Sequence, residues 1–113
     1  MAKSNKKTAQ SDNIVYVAYY RYSDRHGSEG ASILGVRRKK EKAEKLKSDD
    51  IQKYLQNNGL LKSDGTLDTS SISEIDGGDA EGKTLEDALS ADTINVDSEG
   101  TWCEWYISEE PVL

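Results

Sequence analysis

A chain of 113 residues with 15 Lys+Arg against 21 Asp+Glu, one Cys and no Phe carries a formal charge of −6. That length holds one small domain, the lone Cys excludes an internal disulfide framework or a Cys-clustered zinc site, and no stretch approaches the roughly 18 apolar residues of a membrane span. The opening MAKSNKKTAQSDN lacks an apolar core and does not read as a secretory signal, so the expectation is a soluble, cytoplasmic protein without membrane association. Leu, Ile and Val number 9, 7 and 5, which is thin for a globular chain; six Tyr and two Trp supply the missing apolar surface.

Residues 1–12 are polar, with Lys3, Lys6 and Lys7 and no apolar periodicity, and are predicted as a disordered basic arm. A single α+β domain is expected over 13–110. Its first element is a strand from Ile14 to Tyr22, β-branched and aromatic on both faces and therefore suited to the inside of a sheet. The turn-rich SDRHGSEG leads to a second strand, Ala31–Val36, antiparallel to the first. Gly35 within it marks a bulge or a close backbone approach.

From Arg37 the residues favour a helix, and Glu41 with Lys45 makes a favourable i,i+4 pair. Ser48 followed by Asp49 and Asp50 has the form of a new helix N-terminus. Ile51, Tyr54 and Leu55 share a face, and Asn57-Asn58-Gly59 is a stop. The segment 39–58 is thus either one helix or two, with Ser48 favouring a break. Residues 62–83 are crowded with Gly, Ser and Asp and read as a long acidic loop, with room for a short strand at 71–75. Thr84 and Asp87 form a T-x-x-D capping box opening a short helix. A second hairpin closes the chain, with Thr93–Val96 and Thr101–Ser108 flanking the turn at 97–100. In its last strand Cys103, Trp105 and Ile107 point to the core, and Trp102, Glu104 and Tyr106 point away. The fold expected is a small α+β domain: an antiparallel sheet built from an N-terminal and a C-terminal β-hairpin, with two or three short helices on one face.

Few motifs carry chemistry. Gly77-Gly78-Asp79-Ala80-Glu81-Gly82-Lys83-Thr84 fits G-x-x-x-x-G-K-[ST] by letter. Yet no hydrophobic strand precedes it, two carboxylates sit in the loop, and only 29 residues follow, too few for the parallel sheet of a P-loop protein. EF-hand spacing fails around both Gly65 and Gly78, so no metal and no cofactor is expected. His26 falls in a polar turn and Cys103 on an apolar strand face, which gives no nucleophilic pair. The sequence supports no enzymatic activity.

Charge is distributed unevenly. Residues 1–62 hold 14 basic and 7 acidic side chains, whereas residues 63–113 hold one basic and 14 acidic. Arg37, Arg38, Lys39, Lys40 and Lys42 open a segment, 37–47, with seven positive charges in eleven residues. It is either a solvated helix face or a grip for phosphate groups. In the acidic half, Trp102, Glu104 and Tyr106 with Asp76, Asp79, Glu81, Glu86 and Asp87 would surround an aromatic anchor with carboxylates, unless another element covers the rings. The leading expectation is a non-enzymatic protein-binding module, a small acidic inhibitor or adaptor docking on a basic, nucleic-acid-binding surface of a larger protein. In size and composition the chain is similar to small inhibitor and adaptor proteins such as phages and mobile elements encode. The alternative is a nucleic-acid-binding protein using 37–47. Oligomeric state stays open at this level.

Overall fold

The computed structural model describes residues 13–96 and 100–112. The expected arm at 1–12 and most of the turn at 97–100 lie outside them. Among the described residues the elements are, in order, β1 (Ile14–Ser23), β2 (Glu29–Arg37), α1 (Lys40–Asn57), a 3₁₀ turn (Thr69–Ser71), β3 (Glu74–Ile75), β4 (Gly78–Asp79), α2 (Leu85–Leu89), β5 (Thr93–Val96) and β6 (Thr101–Pro111). The strands form one antiparallel sheet in the order β2-β1-β6-β5-β3-β4. The architecture is α+β, with the two helices of the described residues on one side of the sheet.

The core lies between the helices and that side. Ile75 of β3, Ile94 of β5 and Cys103 and Trp105 of β6 form one buried cluster with Ile51 and Leu55 of α1 and Ala88 of α2; Ala18 of β1 and Ala43 of α1 are buried as well. Trp105 is its largest member. Its ring lies against Tyr20 and Tyr54 at centroid distances of 5.3 and 5.5 Å, and its Nε1 donates to Asp50 Oδ2 at 2.9 Å. Lys47 adds an ion pair from α1 to Asp92, just before β5.

Gly35 fulfils both parts of its expectation. The β1–β2 register shifts between Ala18 and Tyr19, opposite Gly35 and Ile33, and leaves Leu34 as the extra residue of a bulge. A Cβ on Gly35 would stand 2.7 Å from Leu46 Cδ1, so the missing side chain lets α1 approach the sheet.

One expectation is corrected. The segment 39–58 is one helix of 18 residues, not two, so the helices number one long and one short rather than two or three short ones among the described residues. Ser48 caps nothing; its Oγ donates back to Lys45 O at 3.2 Å. The buried stripe Ala43, Ile51, Leu55 runs straight through that position, and burial against the sheet outweighs a local capping preference. The acidic stretch 62–83 contains, at Glu74–Ile75, the short strand for which 71–75 has room, and further structure around it. Leu61 and Leu67 form a bridge, and Ile75-Asp76-Gly77-Gly78 turns a miniature hairpin onto β5. Asp76 and Gly77 take φ values of 54° and 78°, as a primed two-residue turn requires. Leu67, Ile72, Ile75 and Ala80 are all buried and fasten the stretch to the core.

Candidate interaction surface on the open sheet face

Strand alternation sends half of the sheet's side chains away from the helices. On β1 these are Val15, Val17, Tyr19 and Arg21; on β6, Trp102, Glu104, Tyr106 and Ser108, as the pairings Tyr19↔Tyr106 and Arg21↔Glu104 place them. Trp102, Glu104 and Tyr106 therefore share the side that the sequence assigned to them. The bulge adds a contribution that no simple alternation foretells. Ile33 pairs with Tyr19 and Val36 with Val17, so two residues three apart emerge on one face. They are 63% and 48% exposed, and Tyr106 is 37% exposed.

The face is built to stay in place. Tyr19 and Tyr106 stack at 4.8 Å with 19° between ring planes. Arg21 holds Glu104 at 3.2 Å, and its guanidinium lies 5.6 Å from the centre of the Trp102 ring. A hollow of about 380 Å³ opens beside them between Arg21, Glu29, Ala31 and Trp102. By register, among the described strand residues Glu29, Glu74, Asp79, Glu104 and Glu110 share this side with a single cation, Arg21. Five carboxylates against one guanidinium leave −4 around an apolar centre.

Of the remaining acidic candidates only Asp79 lies on this face, and several of them hold backbone N–H groups. Asp76 Oδ1 accepts the backbone N–H of Asp92 at 2.7 Å and of Thr93 at 3.2 Å, which holds the miniature hairpin to β5. Asp79 accepts from Glu81 N at 3.0 Å. Asp87 belongs to the capping box foreseen at Thr84: its carboxylate accepts from Thr84 N at 2.9 Å, and Thr84 Oγ1 accepts from Asp87 N. Glu86 and Asp87 sit on α2 in the helix layer, with Glu81 in the connection leading to it. The eight candidates are thus split, and only Trp102, Glu104, Tyr106 and Asp79 share the open face. The same capping box disposes of the P-loop spelling, because Gly77 and Gly78 belong to a hairpin and Thr84 caps a helix of five residues.

Three of the Asx-type carboxylates are held below their ordinary range by hydrogen bonds: Asp64 by the Thr66 hydroxyl, Asp68 by the Ser70 hydroxyl and Asp87 by the Thr84 backbone. A folded pKa below the unfolded one means that the unfolded chain binds protons first on acidification. The stabilisation is therefore complete above the unfolded value and is lost as pH falls through the folded ones. Thermal midpoints should be flat from neutrality to about pH 5 and drop below about pH 4. Replacing all three by Asn should flatten that acid limb.

Arg37, Arg38, Lys39, Lys40 and Lys42 are all exposed, at the end of β2 and the start of α1. Arg37 Nη1 donates to Val36 O at 2.8 Å. Lysines in the first turn oppose the helix dipole, and Lys39 at the N-cap offers no side-chain cap. His26 is exposed in the β1–β2 turn, while Cys103 is buried beneath the sheet's other side. Burial pushes the Cys103 thiol above its ordinary pKa, partly offset by hydrogen bonds from Tyr54 and Tyr20. A thiolate reagent should accordingly modify Cys103 only as fast as the protein opens, with the rate rising across the urea transition. No helix among the described residues is long and apolar enough to cross a membrane. Comparison with known protein families, characterised proteins and solved structures finds no match for the chain.

Proposed function

We propose that this chain is a non-enzymatic protein-binding module whose open sheet face docks on a basic surface of a larger protein, in the manner of an inhibitor or adaptor. The observation that supports the reading is the combination on one face: the stacked Tyr19 and Tyr106, the exposed Ile33 and Val36, and the half-buried Trp102 beside Arg21, within a rim of five carboxylates. Apolar and aromatic residues supply the desolvated centre that carries most interface energy, and the charged rim sets orientation and association rate. A partner whose own role is to bind nucleic acid offers the complementary charge.

The test is capture of partners by the tagged full chain from a lysate of the source cells, with and without nuclease. A stoichiometric protein that survives nuclease, and whose association slows as salt rises, supports the reading. A second reading, nucleic-acid binding through Arg37, Arg38, Lys39, Lys40 and Lys42, is favoured by the exposure of all five where β2 passes into α1. It predicts nucleic acid in the untreated sample and steep salt dependence of its affinity.

A further inference from the structure

On the helix side of the sheet, where α1 stops, the molecule has a feature that the open face does not use. A half-open cleft of about 450 Å³ lies between β1 and the C-terminal end of α1, large enough for a small ligand. Its aromatic lining is Tyr20 and Tyr22 from β1 and Tyr54 from α1. Tyr20 and Tyr22 alternate onto one side of the strand, and their rings stack at 6.0 Å. The Tyr20 hydroxyl is turned to the buried Cys103 sulfur at 3.7 Å, so this residue offers the cleft mainly its ring.

The charges and dipoles of the lining point one way. Asp24 contributes a carboxylate. Its Oδ1 accepts the backbone N–H of His26 at 2.9 Å and of Ser28 at 3.0 Å, which fixes the side chain, and neither bond uses Oδ2. Asn58 and Gly59 bring in the end of α1, an 18-residue helix with no basic residue in its last turn. The negative pole of its dipole therefore faces this end without a helix-borne cation. Among the described residues no Lys, Arg or His lines the cleft. The Arg25 guanidinium packs over Gly100, one residue from the lining Thr101.

Tyrosine faces are the negative part of an aromatic quadrupole and attract cations that shed water easily. From these rings, the fixed carboxylate and the helix end, we propose that the cleft binds an organic cation bearing an alkylated ammonium group. The alkyl groups bury against Tyr20, Tyr22 and Tyr54, and the charge is balanced by Asp24. A strongly hydrated inorganic cation gains nothing from ring faces, and a neutral ligand of the same shape gains packing alone. This inference is independent of the open face and stands or falls without it.

The experiment is a titration of the isotope-labelled full chain by NMR, at constant ionic strength, with choline and with its neutral carbon isostere dimethylbutanol. Choline should give saturable shifts at Tyr20, Tyr22, Tyr54 and Asn58–Leu60 with a dissociation constant of order millimolar, and the isostere should bind roughly tenfold more weakly. Asp24→Asn keeps an oxygen for both turn bonds, so it should fold; it should weaken choline roughly fivefold and leave the isostere unchanged. Tyr22→Leu should abolish the choline shifts. A trimethyl-lysine peptide separates the two sources of such a group: tighter binding than choline assigns a methylated side chain, and weaker binding assigns a free small molecule. Absence of saturable shifts with choline and peptide alike, or equal binding of choline and its isostere, overturns the proposal.

Discussion

Trp105→Ala is expected to cost about 4 kcal/mol of folding stability, the largest single effect in the molecule. Trp105 is fully buried, its ring lies between Tyr20 of β1 and Tyr54 of α1, and its indole N–H is satisfied by Asp50. Removing it empties the volume that joins the central strand pair to the long helix and strands the Asp50 carboxylate. A domain of this size has only about 5–15 kcal/mol in total, so the variant should unfold at markedly lower urea or fail to accumulate. Trp105→Phe keeps most of the packing and loses the hydrogen bond; it should cost about 2 kcal/mol. Asp50→Ala, which leaves the indole N–H unpaired, should cost about 1–2 kcal/mol. Urea unfolding of the three variants against the parent chain measures all of these.

The second large effect concerns binding and leaves the fold in place. Ile33→Ser with Tyr106→Ser should lower affinity for the protein partner by about 100-fold, because truncating two central apolar contacts costs about 1.4 kcal/mol each. Both residues are already exposed on the open face, so the thermal midpoint should shift little beyond the loss of the Tyr19–Tyr106 stack. Neutralising rim carboxylates should act differently. Glu29→Gln and Glu74→Gln should slow association and reduce its salt dependence, with dissociation nearly unchanged. Kinetics on an immobilised partner separate the two behaviours.

The four long strands were legible because β-branched and aromatic runs at 14–22, 31–36, 93–96 and 101–108 are bounded by Gly, Ser and Asp. The capping box at Thr84 and Asp87 and the special character of Gly35 were legible for equally local reasons. What escaped depends on partners distant in sequence. The pairing of β1 with β6 brings Tyr19 to Tyr106, and no local pattern records it. The same pairing explains why α1 continues through Ser48: the face that decides is the one against Trp105. Asp50 looked like a first-turn carboxylate, yet it serves the indole from the middle of a helix.

The miniature hairpin had a local signal, Asp76-Gly77, but two-residue strands give no periodicity to read. For the candidate surface, the rings of β6 followed from alternation alone. Ile33 and Val36 did not, since only the bulge at Leu34 returns residues three apart to the same side. The acidic candidates rest on charge alone, and charge does not distinguish a carboxylate facing a partner from one holding a backbone N–H. Asp76 and Asp87 belong to the second kind, and Asp79 to both.

The central claim, that the open face and not the basic segment engages the partner, is tested most directly by one comparison. Capture from nuclease-treated lysate would be quantified for the parent chain, for Ile33→Ser with Tyr106→Ser, and for Lys39→Gln with Lys40→Gln and Lys42→Gln. The account predicts that the first variant loses the stoichiometric protein partner while remaining folded, and that the lysine variant keeps it. Retention by the open-face variant with loss in the lysine variant would contradict the account and move the binding site to the start of α1.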